Sequence, residues 1–202
     1  MSIKQYFLML SIYLSLINQP SFAFNLLELL PFNNYQISKV LIGKPAKVDI
    51  KSHPHAHKFR TMLRQGVENG VNFAGHYIIA TWGCGTSCLE LGIIDAHTGK
   101  VFFPKELVRV IGISAGDFES VGWTEEEGDC LFKTADILSI GFRKESSLLV
   151  AFGFPHDDST EHELGFYYFS WEDNKLELLG KLLLSSDKAK ILNLVACHNN
   201  IK

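Results

Sequence analysis

The sequence predicts an α+β domain, predominantly antiparallel β hairpins with one main helix over residues 53–68 packed on the sheet. Three observations carry that expectation. From residue 71 onward, short β-branched and aromatic runs alternate with turn residues, as successive antiparallel strands require. One stretch, 53–68, carries apolar residues at helical spacing. The 202 residues are 47% hydrophobic and 20% charged with a net charge of −3, which fits one globular domain. The same figures exclude a disordered chain and point away from a nucleic-acid partner.

Residues 1–23 read as a secretory signal, separate from the fold. Lys4 supplies the positive start, and Tyr6 to Ile17 is almost entirely apolar. Pro20 breaks the run, and Ser21-Phe22-Ala23 puts small residues where signal peptidase reads them. The run falls short of the roughly 17–25 residues a membrane span needs. The expectation is therefore a single mature domain over 24–202, periplasmic or secreted, with no transmembrane segment after cleavage. Export places the four cysteines in an oxidising compartment, where pairing is the default.

Within the mature chain, residues 24–50 begin with an apolar lead-in. Strand-like pieces follow at 39–42 and 46–50, punctuated by Gly43, Lys44 and Pro45. In the helix at 53–68, Pro54 suits the first turn and Ser52 or His53 can cap it. Phe59, Met62, Leu63 and Val67 make its apolar stripe, with Lys58, Arg60 and Arg64 outside it. Asn69 and Gly70 tolerate the left-handed conformation that stops a helix. Strands are expected at 76–82, 89–95 and 100–103, the last two joined by the Ala96-His97-Thr98-Gly99 turn. Residues 104–130 look irregular and hold an acidic loop, Glu125-Glu126-Glu127-Gly128-Asp129. Later strands are expected at 137–142, 147–152, 165–171 and 176–184, with a hairpin turn at 172–175. A short helix is expected in the 185–202 tail. The strand–loop–strand–turn–strand order of 76–103 is echoed faintly in 147–182.

The densest chemistry lies in residues 72–88, where Asn72, His76, Tyr77, Trp82, Cys84 and Cys88 sit within one stretch. Gly83 and Gly85 flank Cys84, so the chain turns sharply there. One reading makes Cys84 a nucleophile, His76 its base and the glycine loop an anion hole. The other makes Cys84–Cys88 a disulfide across a tight reversal, and that reading is preferred in an exported chain. Cys130 and Cys197 then remain as a possible second pair.

His53, His55 and His57 invite a metal reading. On a helix only His53 and His57 share a face, and two exposed imidazoles make a weak site. The run His156-Asp157-Asp158-Ser159-Thr160-Glu161-His162-Glu163 is rich in oxygen and nitrogen ligands. Its spacing matches no calcium loop, and charge normally collects in solvated loops. Neither stretch is assigned a metal, and no cofactor is expected. No phosphate loop, dinucleotide fingerprint, serine-hydrolase elbow or zinc-protease helix is present in the sequence.

Several blocks resemble a family of uncharacterised exported bacterial proteins. They are Arg60-Thr61-Met62-Leu63, Asn72-Phe73-Ala74-Gly75-His76-Tyr77 and Trp82-Gly83-Cys84-Gly85-Thr86-Ser87-Cys88. The similarity continues through Ile94-Asp95, Thr98-Gly99-Lys100-Val101 and Pro104, then Ser147-Leu148-Leu149, Gly165-Phe166-Tyr167-Tyr168 and Trp171. The resemblance implies export, one domain and a helix over 53–68, but no reaction. Relatives often carry a Gly-Cys-Pro…Cys-Gly arrangement where this chain has Gly153-Phe154-Pro155 and Leu164-Gly165. A second loop disulfide is therefore not expected at that place.

Three functional expectations follow. The first is a non-catalytic binding or inhibitor module. It would present a stapled Gly-rich loop, with Asn72, His76, Tyr77, Trp82, Gly83 and Gly85 as its binding residues. Its partner would be an unknown protein or small ligand in the envelope. The second is a hydrolase or thiol enzyme using Cys84 and His76. The third is a purely structural envelope protein, in which the motif serves folding alone.

Overall fold

A run holding Tyr77, Ile78, Ile79 and Trp82 before a Gly-Cys-Gly tip, and one holding Leu89, Leu91, Ile93 and Ile94 after it, form the first hairpin, β1 (Tyr77–Gly85) and β2 (Cys88–Asp95). The computed structural model describes residues 32–113, 115–135, 140–157 and 162–194. The remaining strands are β3 (Val101–Phe102), β4 (Arg109–Ile111), β5 (Ile140–Phe142), β6 (Leu148–His156), β7 (Gly165–Glu172) and β8 (Lys175–Leu183). All pair antiparallel along the path β1-β2-β4-β6-β7-β8, with β3 added to β2 and β5 to β6.

The α+β architecture with a dominant antiparallel sheet is as expected, but the single main helix is not. The described residues hold five α-helices: α1 (Pro54–Lys58), α2 (Arg60–Glu68), α3 (Ala115–Ser120), α4 (Glu125–Ala135) and α5 (Lys188–Leu194). The expected helix over 53–68 is divided at Phe59, whose backbone (φ −98°, ψ 18°) leaves the helical region. That break sets the Phe59 ring on Trp82, stacked with centroids 4.6 Å apart. Met62, expected in the apolar stripe, is 42% exposed, while Leu63 is fully buried. Gly66 lets α2 approach the sheet, because a Cβ there would lie 2.5 Å from the Ala80 Cβ. His53 is the N-cap, its Nδ1 accepting the His55 N–H at 3.2 Å.

The acidic stretch 125–129 is the first turns of α4 and not a loop. Thr124 and Glu127 form a reciprocal capping box: Glu127 accepts the Thr124 N–H at 2.8 Å, and Thr124 accepts the Glu127 N–H at 3.2 Å. Three glutamates in the first turn suit the positive end of the helix dipole. The strand-like pieces at 39–42 and 46–50 form no ladder. They run as a strap across two turns, with Leu41 donating to the Gly75 carbonyl and Asp49 to the Gly99 carbonyl. The turn at 172–175 is as expected, with Asp173 (φ +49°) and Asn174 (φ +61°) both left-handed.

The two faces of the sheet are buried against different layers. Ile78, Ala80, Trp82 and Ile94 pack with Ala56 and Leu63 under α1 and α2. Ile79, Leu91 and Ile93 face the opposite way and share a core with Leu149, Ala151, Tyr167 and Phe169 of β6 and β7. The other face of β6 and β7, through Leu148, Val150, Phe152 and Phe166, packs with Phe118, Trp123, Leu131 and Ile191. Helices thus cover both outer faces of a sheet folded over on itself. Gly153 (φ +132°) marks where β6 passes from β7 to β4, and a Cβ there would lie 2.3 Å from the Ile111 carbonyl oxygen. Among the described residues, no helix is long and apolar enough to cross a membrane.

Candidate functional site

The residues of the 72–88 stretch are spread along the β1–β2 hairpin rather than gathered at one point. Asn72 closes the free edge of β1. Its amide nitrogen donates to the Ile79 carbonyl at 3.0 Å, and its oxygen accepts the Ile79 N–H at 2.8 Å. One side chain thereby serves as a missing strand at the sheet edge. Ala74 (φ +42°) and Gly75 (φ +78°) turn the chain before β1. A Cβ on Gly75 would lie 2.4 Å from the Lys39 carbonyl oxygen, so glycine lets the strap lie against the turn.

His76 and Tyr77 stand at the base of the hairpin. Their ring centroids are 4.2 Å apart, and His97 lies 4.7 Å from His76. The Tyr77 hydroxyl donates to Asn174 Oδ1 at 3.0 Å, and its ring meets Trp171 edge-on at 5.3 Å. With the strap they line an open cavity of about 710 Å³. Burial holds the His76 imidazole below its ordinary pKa, and the neighbouring His97 adds to this, against the opposing pull of Asp95. Burial also pushes the Tyr77 phenol up, and Asp95 adds to it. The indole N–H of Trp171 works the other way, although it sits outside hydrogen-bond geometry.

At the far end of the hairpin, Cys84 and Cys88 form a disulfide with Cα atoms 5.1 Å apart. Residues Gly83 to Ser87 are all exposed. The strand bulges between Gly83 and Gly85, and Gly85 (φ +147°) and Ser87 (φ +53°) are both left-handed. Cys130 is disulfide-bonded too, and Cys197, its expected partner, lies outside the described residues. The expected alternative pairing of Cys84 with His76 in catalysis finds no geometry. Eight residues of strand, at about 3.3 Å each, put the two side chains roughly 25 Å apart, and the Cys84 sulfur is bonded.

Trp82 lies between these ends and is not an exposed anchor. It is 7% exposed, and its indole N–H donates to Glu90 Oε2 at 2.9 Å, directly across the hairpin. Its edge reaches a cleft of about 330 Å³ bounded by Lys58, Phe59, Glu90, Phe103 and Lys105. His53 and His55 close one side, with ring centroids 4.8 Å and 5.5 Å from Phe103. These two imidazoles therefore serve as a cap and a wall. The cleft draws on the start of the helical segment, the β1–β2 hairpin and the 103–108 segment. The cross-strand register that aligns Trp82 with Glu90 is the signal that would have located it.

In the 156–163 run, His162 Nε2 lies 3.2 Å from Asp157 Oδ2. The Tyr167 hydroxyl donates to the Glu163 carbonyl at 2.9 Å. Asp158 and Glu161 lie outside the described residues. Among the described residues, no group of three or more His, Cys, Asp or Glu side chains is placed to hold a metal ion. No protein family, curated protein or solved structure matches the chain.

Proposed function

We propose that this is an exported, non-catalytic binding protein that docks a partner in the cell envelope through the stapled tip of its first hairpin. The single observation behind this reading is a tip that is exposed yet covalently closed: Gly83 to Ser87 are all exposed, and the Cys84–Cys88 bond closes the turn. A loop already held in its bound shape loses little entropy on docking. Export rests on the signal-like residues 1–23, on the resemblance to exported bacterial proteins, and on a disulfide that suits an oxidising compartment. The docking surface comprises Gly83, Gly85, Thr86 and Ser87. Asn72 and Trp82 act beneath it, as edge clamp and core.

A second reading, a purely structural envelope protein, is favoured by Asn72 and Gly75, whose contacts serve the fold. That reading leaves the tip without a purpose. Affinity capture from envelope extract separates the two, using wild type, Thr86→Arg and the Cys84→Ser/Cys88→Ser double variant. The docking reading expects one discrete partner with wild type, lost in Thr86→Arg at an unchanged melting temperature and weakened without the disulfide. Equal capture by all three, or capture of nothing above background, would leave the structural reading standing.

A further inference from the structure

We infer that the cleft beside Trp82 is a second binding site, independent of the stapled tip, for a sugar acid: a hydroxylated ring bearing one carboxylate. Its volume of about 330 Å³ is at the lower end of small-molecule sites, enough for one or two rings. Three features of its wall define the ligand together.

The first is aromatic. Phe59 and Phe103 are only half-buried, and both border the cleft beside the Trp82 edge. Phe59 is held by its stack on Trp82, and Phe103 by Trp82 and the two imidazoles. Lys58 Nζ also lies 4.8 Å over the Phe59 ring, so the surface left for the C–H face of a pyranose is that of Phe103, held rigid by its neighbours.

The second is Glu90. One carboxylate oxygen is taken by the Trp82 N–H, which fixes the group in place. A carboxylate has capacity for about four hydrogen bonds, so Glu90 retains acceptor sites at the cleft wall. It calls for hydroxyl donors and repels an anion set directly upon it.

The third is the pair Lys58 and Lys105, both exposed on the rim. With Glu90 they leave the cleft one positive charge in excess. An aromatic acid would satisfy the lysines and leave Glu90 facing carbon. An amino sugar would satisfy Glu90 and face two ammonium groups. A neutral sugar would leave the lysines unused. A ring with hydroxyls at one edge and a carboxylate at another meets all three features.

Titration calorimetry on the full mature chain tests this, with galacturonate, glucose, glucosamine, benzoate and phenylalanine as probes. For a ligand of this size a Kd on the order of 1 mM is expected for galacturonate. Glucose should bind roughly ten-fold more weakly, the ratio a charge-assisted contact supplies. Lys58→Ala/Lys105→Ala, altered only at exposed side chains, should bring galacturonate down to the level of glucose. Glu90→Gln should weaken both sugars. No heat with galacturonate, benzoate or phenylalanine binding as tightly, or a lysine double variant that binds galacturonate like wild type would each overturn the assignment. Thr86→Arg should bind galacturonate unchanged, so failure of the docking reading and failure of this one are separable.

Discussion

Asn72 shows what one side chain can do at a sheet edge. Its amide meets both the N–H and the carbonyl of Ile79, which β1 would otherwise leave open. Asn72→Ala should cost about 1–3 kcal/mol, since two half-buried backbone groups lose their partners. Asn72→Asp should recover little, because a carboxylate faces the Ile79 carbonyl where an amide donated. Urea denaturation of the three proteins checks this, and an alanine variant as stable as wild type would contradict it. His76 acts on stability through protons. Burial and then His97 hold its folded pKa below the unfolded value of 6.5. The unfolded chain thus binds more protons between those two values. Stability is complete above the unfolded pKa and falls as pH drops through it toward the folded one. His53 shifts the same way, through burial and then His55, so His76→Gln should reduce the slope without abolishing it. Melting temperatures between about pH 7.5 and pH 5 provide the comparison. Parallel curves for wild type and His76→Gln would sink the argument.

Elements differ in how plainly the sequence announces them. The hairpins of β1–β2 and β7–β8 were legible because buried β-branched and aromatic runs are bounded by turn residues, and Asp173-Asn174 accepts the left-handed backbone such a turn needs. β4 is three residues long, too short for any period to show. The strap at 37–49 has strand-like composition but spends it packing over Gly75 and Gly99, where only glycine leaves room. α4 was hidden by its own charge. Three glutamates look like a solvated loop unless Thr124 and Glu127 are read as a cap. The stapled tip was legible from the Gly-Cys-Gly spacing, whereas the cleft was legible only at its Trp82–Glu90 cross-strand pair, because Phe59 and Phe103 join that pair through tertiary packing alone. The capping box gives α4 a measurable weak point. Thr124→Ala should cost about 1 kcal/mol. The loss should fall mainly on the α3–α4–α5 layer, since Lys188 bridges Glu127 at 2.5 Å and donates to the Gly122 carbonyl at 2.9 Å. Hydrogen exchange that opens β1 and β2 as much as α4 would place the damage elsewhere.

Across the whole molecule, the two outer helical layers are secured differently. α1 and α2 lie on β1 and β2 through close approach at Gly66 and the Phe59–Trp82 stack. The layer of α3, α4 and α5 is joined to the sheet by apolar packing and by polar ties, among them the Trp123 N–H donating to the Leu184 carbonyl at 2.9 Å. Cys130 packs against this second core and is disulfide-bonded. The two disulfides should therefore do unequal work. Cys84–Cys88 spans a sequence separation of 4 at an exposed tip. Loop-closure entropy for so short a ring gives about 2 kcal/mol. With Cys197 as the partner of Cys130, the ring is far longer and the same relation gives about 4 kcal/mol. Urea denaturation of Cys84→Ser/Cys88→Ser and Cys130→Ser/Cys197→Ser should show losses in that order. Only the first variant should also weaken capture of an envelope partner. A tip variant that loses more stability than the Cys130 variant would make the Cys84–Cys88 bond a folding device, and would remove the reason to read the tip as a docking surface.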